Sequence, residues 1–542
     1  MEEKPMENRV AKCAQGRLQG IPGKNPEITV FKGVPYAQPP VGALRWRSPQ
    51  PLKPWTGIRD ASLFGAMPPQ KKGSFLDAGK YEDMYCSEDC LYLNIWTPAK
   101  SVDEKLAVLV WYHGGGLQGG IAHDPMFDGE YLASKGIILV TVSYRMNILG
   151  FLCHPDMRKE GPYYTPGNFG LQDQAMALQW VHDNIAAFGG DPEKVTIAGQ
   201  SAGGGSVCNL MTTPLAKGLY RAAIVESGDP LGFTHYKGTT IEEAELAGMR
   251  LAAHFGAESL DELRKLPTEA LITSDFDATS LVGLGHCAEV VDGIVMPQEA
   301  HKTLLFGSQN SDVPMIFGCN SEEALGRAPA TVEEYRDELR YKYGSHAERL
   351  LELFPAETVD EMRASLGKIN AMAWVERLRC LMKARELRGL RSWQYYMTQG
   401  KDYKGVHMGA VHSGELGFIF GTDAFLEEAL DYIYRNFGFK MDENYDRTES
   451  DRITKELTEC MSDYWVSFVK NADPNCEGHP EWYCSADEGT VMQLGAVQEM
   501  WAINDESAKE LYETYQEFFG LTEAFKEGRI PQTTQSREFI LH

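Results

Sequence analysis

Five short apolar runs punctuate the chain: LAVLVWYH (106–113), IILVTVSY (137–144), KVTIAG (194–199), AAIVESG (222–228) and VPMIFG (313–318). Each is rich in Val and Ile and closes on Gly or a polar residue. Continuous runs of this length, without polar alternation, suit strands buried on both faces and so predict a largely parallel sheet. Between them, in LQDQAMALQWVHDNIAAFGG, Leu171, Ala175, Leu178, Val181, Ile185 and Phe188 recur at three- and four-residue spacing. That spacing predicts a helix, stopped at Gly189 and Gly190. Further on, EEYRDELRYKYG and AMAWVERLRCLMKARELRGL read as successive helices, a helical cap or insertion within 330–440. Strand alternating with helix predicts a doubly wound α/β architecture.

Length changes this picture little. A chain of 542 residues would suggest several domains, yet no repeat or low-complexity linker divides it, and one elaborated unit over 1–542 is expected. Hydrophobic residues make up 43 % and charged ones 24 %, an ordinary composition with ample core. No run of about 18 apolar residues offers a membrane span. The start, MEEKPMENRVAKCAQG, lacks the basic and apolar segments of a secretory signal, so a cytoplasmic protein is expected.

Charge excludes more. Acidic residues outnumber basic ones 77 to 52, a net charge of −25, which repels nucleic acid and anionic membranes. Eleven cysteines are scattered without metal-ligand spacing: neither Cys86 with Cys90 nor Cys476 with Cys484 has a histidine cluster beside it. No metal is expected, and reduced, mostly buried thiols are.

Two glycine-rich segments carry the candidate chemistry. In HGGGLQGG, Gly114, Gly116 and Gly119 match a dinucleotide fingerprint directly after a strand. Such a site needs an acid at the end of the next strand to hold the ribose. Here that strand runs into Tyr144 and Arg145, and Pro125 and Gly129 interrupt any helix after the glycines. The other segment, VTIAGQSAGGGSV, fits G-x-S-x-G at Gly199-Gln200-Ser201-Ala202-Gly203. Small neighbours permit a strained strand-to-helix turn that exposes Ser201. The Ala202 amide at the helix start, with Gly115 and Gly116 upstream, supplies donors for an oxyanion.

These segments belong to longer blocks: FKGVPYAQPPVGALRWRSPQP (31–51), SEDCLYLNIWTP (87–98), YHGGGLQGG, GNFGLQDQAMALQWVHDNIAAFGGDPEKVTIAGQSAGG (167–204) and MSDYWVSFVKNADPN (461–475). Through them the chain resembles, over nearly its whole length, the type-B carboxylesterase family. That family includes the cholinesterases and the bacterial esterases active on p-nitrobenzyl esters, and the latter are the nearer in character. The resemblance implies an α/β-hydrolase fold with helical insertions forming a substrate gorge. It also implies a Ser–Glu–His triad in that chain order, no cofactor, and a small-molecule ester as the partner of a monomer or homodimer. The serine falls on Ser201. The acid of a G-x-N-x-x-E-G pattern falls on Glu323 in GCNSEEALG, with Ala324 in place of the usual Gly and Glu322 as the adjacent alternative. The base falls on His412 in HSGELGFIFG, His407 reading as a polar loop residue. Arg45 with Glu88, and Arg145 with Asp173, correspond to ion pairs that pin loops. Ser227 corresponds to a serine near the triad and, with Gln200, is assigned to the substrate pocket.

Departures from the family pattern shape the expected substrate. Gln200 stands where Glu is common, which removes a carboxylate that would favour cationic esters and raise histidine basicity. The stretch around Lys80 and Tyr81 has no counterpart to the tryptophan that holds quaternary ammonium groups. Choline esters are therefore poor candidates, with short alkyl and aryl or cinnamoyl esters left open. Cys90 lacks the upstream partner of the secreted relatives' disulfide. An amidase or lactonase using the same triad, and a catalytically silent binding module, are the alternatives.

Overall fold

Valine, isoleucine and leucine at successive positions need apolar cover on both sides, and the sheet they form has it. The structure, a computed structural model, describes residues 9–71, 84–163, 165–231, 240–273, 289–308, 310–323, 328–400, 409–422, 446–486, 490–502 and 505–530, with the backbone of 402–403 and 406–407. Ala324, Lys80, Tyr81 and the His407 side chain lie outside the described residues.

The main sheet comprises β1 (Ile21–Pro22), β2 (Thr29–Pro35), β3 (Tyr92–Thr97), β4 (Leu106–Tyr112), β5 (Ile138–Val142), β6 (Gly190–Gln200), β7 (Ala222–Glu226), β8 (Met315–Asn320), β9 (Ser392–Met397), β10 (Thr490–Leu494) and β11 (Gln498–Ala502). Their spatial order is β11-β10-β9-β8-β7-β6-β4-β5-β3-β2-β1. Every pairing from β5 across to β10 is parallel; β1 to β3, the β3–β5 pairing and the β10–β11 hairpin are antiparallel. All five apolar runs lie in the parallel part. In β4, Val108, Val110 and Tyr112 join the core on one face while Ala107, Leu109 and Trp111 join the core on the other. Burial on both faces is the reason the sequence shows no alternation.

Helices cover both faces. Those that matter for the site are α1 (Phe169–Asn184), α2 (Ala202–Leu210), α3 (Val359–Leu387), α4 (Leu416–Phe420) and α5 (Thr448–Asn471). α1 passes into a short 3₁₀ turn, Ile185–Phe188, and ends at Gly189 with φ +82°. Gly190, read from sequence as a second stop, is instead the first residue of β6 and pairs with Leu106. The stretch 330–440 contains helices Val332–Tyr343 and Ala347–Leu353 and α3, and it also supplies strand β9 to the sheet.

β9, sequence SWQYYM, had no apolar signature because two of its six buried residues are polar. Both find a partner on α3: Ser392 accepts from Arg385 Nε at 2.7 Å, and Gln394 Nε2 donates to the Val375 carbonyl at 2.9 Å. Among the described residues no helix is long and apolar enough to cross a membrane. Among the described residues Cys90 is in no disulfide.

Candidate active site

The C-terminal ends of parallel strands are where an open α/β sheet leaves a crevice, and β6, β7 and β8 deliver their chemistry there. β6 ends at Gln200 and α2 begins at Ala202, so the whole reversal falls on Ser201, with φ +57° and ψ −128°. Holding a non-glycine residue in so sparse a region costs about 1–3 kcal/mol. The turn is over-determined: the Ser201 N–H donates to the Glu226 carbonyl at 2.9 Å, and the Ser201 carbonyl accepts from Gly205 N–H at 3.0 Å. Close approach does the rest. A Cβ on Gly203 would sit 2.0 Å from the Tyr112 carbonyl oxygen, so only glycine lets α2 pack onto the end of β4.

The loop after β4 lies against this turn. A Cβ on Gly114 would lie 3.0 Å from Ser201 Cβ, which places the backbone of 114–116 beside the serine. Gly115 and Gly116 have φ of +111° and +62°. The loop is pinned by Gln70, which donates to the Gly120 carbonyl at 3.0 Å and accepts from the Gly120 N–H at 2.9 Å. Among the described residues no acceptor takes the N–H of Gly115, Gly116 or Ala202. Leu117, Met146 and Phe151, with Ala202 packed against them, form an apolar wall next to this loop.

Two loops more than eighty residues apart complete the cluster. His412 Nδ1 lies 2.5 Å from Glu323 Oε2. Glu323 Oε1 accepts from Ser227 Oγ at 2.5 Å and from the Asn320 N–H at 3.0 Å. The Glu323 side chain is 1 % exposed, that of His412 20 %. A carboxylate with three donors holds the imidazole proton on Nδ1 and leaves the Nε2 lone pair outward. Burial alone would lower the His412 pKa. The hydrogen bond and charge of Glu323, with Glu415 behind it, outweigh burial and hold it above its ordinary value. Nε2 lies 3.3 Å from the Gln200 amide nitrogen, which donates to it; among the described residues Ser201 has no hydrogen bond to the ring.

The adjacent glutamate does something else. Glu322 is exposed, and its carboxylate accepts from the Ala410 N–H at 2.6 Å while its own N–H donates to the Ala410 carbonyl at 3.0 Å. It clamps the loop that carries His412. Ser227, assigned from sequence to the substrate pocket, is 3 % exposed and donates to Glu323; it backs the acid and does not wall a pocket. Gln200 is equally buried and faces the imidazole.

Sequence reasoning missed two acids, Glu415 and Glu226. Asn320 Nδ2 donates to both the Val411 carbonyl (2.8 Å) and Glu415 Oε2 (2.5 Å), tying the end of β8 to the histidine loop. Glu226 closes β7 with a buried carboxyl that accepts from Trp465 Nε1 at 2.7 Å. Their only signal was an acid in each of two apolar contexts, VESG and GELGF. The expected loop-pinning pairs are formed: Arg45 binds Glu88 with two hydrogen bonds (2.8 and 2.5 Å), and Arg145 binds Asp173 with two at 2.7 Å.

Comparison with known proteins bears on the family and the fold. Residues 7–517 match the model of the carboxylesterase family. The fumonisin B1 esterase of Sphingopyxis macrogoltabida is 31 % identical over 89 % of this chain and 85 % of its own length. The para-nitrobenzyl esterase of Bacillus subtilis (strain 168) is 29 % identical over 87 % of this chain and 92 % of its own. A solved PNB esterase superposes with a TM-score of 0.76 at 27 % identity, covering 93 % of this chain and 99 % of that one.

Proposed function

The chain belongs to the carboxylesterase family, with its α/β-hydrolase fold, and is a carboxylic ester hydrolase; on that premise we propose that it works through an acyl-enzyme on Ser201, with His412 as base and Glu323 as its orienting acid. The observation that carries this reading is the 2.5 Å contact of Glu323 with His412 Nδ1, made beside a serine held in the strained turn between β6 and α2.

The steps follow from the geometry. An ester carbonyl enters along the Leu117–Met146–Phe151 wall, its oxygen toward the free N–H groups of Gly115, Gly116 and Ala202. The Gln200 amide yields Nε2 of His412, which takes the proton of Ser201 as Oγ attacks the carbonyl carbon. The charge that develops on the carbonyl oxygen is met by those three donors, fixed before the reaction begins. Glu323, already fully hydrogen-bonded, stabilises the imidazolium without accepting its proton. The imidazolium then protonates the departing alkoxide and the alcohol leaves. Water, deprotonated by the same imidazole, releases the carboxylic acid and restores Ser201.

The substrate class is a small neutral ester, because the wall is apolar and Gln200 places no charge beside the serine. Relatives named as a para-nitrobenzyl esterase and a fumonisin B1 esterase support ester hydrolysis as the reaction. Hydrolysis of p-nitrophenyl acetate and butyrate by the wild type and by Ser201→Ala tests the assignment. Loss of the nucleophile is expected to lower turnover by a factor on the order of 10⁴ to 10⁶ at unchanged Tm. Retention of more than a few per cent of activity by the folded variant overturns it.

A further inference from the structure

Behind the proposed triad lie two carboxyl groups that the mechanism does not use. Glu226 and Glu415 are both 0 % exposed. Each has one oxygen satisfied: Glu226 Oε1 by Trp465 of α5, and Glu415 Oε2 by Asn320 of β8. Glu226 Oε2, Glu415 Oε1, Asn320 Oδ1 and the Tyr395 hydroxyl are buried, and among the described residues none has a hydrogen-bond partner.

The pair is wired into the site from both ends. The backbone carbonyl of Glu226 anchors Ser201, and the next residue, Ser227, donates to Glu323. Asn320 holds Glu415 by its side chain and Glu323 by its N–H. The charge of Glu415 bears on Glu226, and those of Glu323 and His412 bear on Glu415; Glu415 and Glu323 also bear on the Tyr395 hydroxyl of β9 and on the Cys319 thiol of β8, where Arg377 acts too, and Glu226 bears on Tyr395. His412 is the cationic group whose charge bears on Glu415.

Two ionised carboxylates buried within reach of each other's charge, next to a third on Glu323, repel one another, and the hydrogen bonds from Trp465 and Asn320 and the charge of His412 offset this only in part. One proton on the pair removes the repulsion and supplies a donor to the unpartnered oxygens. We propose that Glu226 and Glu415 are positioning residues of the esterase site: Glu226 stays a carboxylic acid, and Glu415, held by Asn320 beside Glu323, carries the charge that sets how readily His412 takes the proton of Ser201. The proposal rests on the triad reading above. Gln200 sits in register with Glu226 on the neighbouring strand, so this chain has a neutral amide beside the serine and the acid one strand over, out of the substrate's reach. Burial drives both carboxyls up, Glu226 well above its ordinary range and Glu415, against the charge of Glu323, to about 7. The two therefore differ in charge above about pH 7, where Glu415 is ionised and Glu226 is not.

The test is the pH dependence of kcat/KM for p-nitrophenyl butyrate, between about pH 5 and 9, with active sites counted by fluorophosphonate labelling. Glu415→Gln is expected to move the acid-limb midpoint down by about one unit, with KM nearly unchanged; Glu415→Asp, which keeps the charge, is expected to restore it. Glu226→Gln is expected to leave the midpoint in place, whatever its effect on kcat, and to remove the infrared C=O band of a protonated carboxyl that the wild type retains at high pH. A midpoint unmoved in Glu415→Gln overturns the proposal, as does a Glu226→Gln shift equal to that of Glu415→Gln. If Glu415→Gln does not fold, the infrared measurement decides alone, and absence of the Glu226 band overturns it. Activity surviving Ser201→Ala would instead sink the triad reading itself; an inert Ser201→Ala with an unmoved Glu415→Gln profile removes only the acid pair.

Discussion

Two buried carboxylates in this molecule are built almost alike and serve opposite ends. Asp173 on α1 accepts three hydrogen bonds, all from Arg145: its N–H at 3.1 Å and its Nε and terminal nitrogen at 2.7 Å each. Glu323 after β8 also accepts three, from Ser227, the Asn320 N–H and His412. In both, one oxygen takes two donors and the other takes one. The difference lies in the partner. Arginine cannot give up its proton, and here it is sealed, with side chains 4 % and 0 % exposed. Histidine can, and the His412 side chain keeps 20 % of its surface open. The same carboxylate cradle is a lock with one partner and, in the proposed mechanism, the support of a reacting group with the other.

Changing each carboxylate to its amide should separate the two roles most sharply. In Glu323→Gln, Ser227 and Asn320 can still donate to the amide oxygen, but the amide nitrogen then faces His412 Nδ1. The imidazole proton is driven to Nε2, where the base must be free, and turnover is expected to fall on the order of 10⁴-fold with little change in Tm. Asp173→Asn should do the reverse. It strands a buried guanidinium, so stability is expected to drop by about 3–5 kcal/mol, while kcat per labelled site, read well below the melting transition, stays near wild type. Urea unfolding and active-site titration on both variants check the pair. Equal losses of stability would erase the distinction.

Proton chemistry gives the next test. The His412 pKa is held above its ordinary value, and activity needs the neutral ring, so kcat/KM should rise with pH through a midpoint above about 6.5. In Glu323→Gln only the charge of Glu415 still opposes burial, and the residual activity should titrate lower. The sign for stability is opposite: the raised pKa stabilises the fold at pH below the unfolded value, and that contribution is lost as pH rises through the folded one. A flat profile between about pH 5 and 9 would remove His412 as the base.

The smallest expected effect concerns Gln200, 3.3 Å from His412 Nε2. Gln200→Glu adds a charge on the open side of the ring and should raise the acid-limb midpoint by roughly one unit or less. It should also lower KM for a cationic ester relative to its neutral isostere. No shift in either would mean that the amide lies out of reach of the imidazole in solution.

How much of this was legible beforehand varies with the element. The parallel strands were, since Val-Ile runs buried on both faces declare themselves without alternation; β9 was not, since Ser392 and Gln394 are buried on partners supplied by α3. Gly190 was misread as a stop because glycine serves a close approach as well as a helix end. Within the site, the turn at Ser201 and the glycine loop at 114–116 were readable, and the role of Ser227 was not. A serine in VESG can face substrate or face an acid, and only its neighbours decide.

What the sequence by itself determined is therefore local. The G-x-S-x-G turn, the glycine loop and the strand–helix order follow from sterics and side-chain type within a dozen residues. What only the tertiary structure decided is which distant groups meet: Glu323 and not Glu322 on His412, Asn320 between two acids, Glu226 beside Gln200. Those contacts join residues up to 95 positions apart. Parallel register and loop packing set them, and no pattern along the chain encodes either, because a strand's partner lies across the sheet and not beside it in sequence.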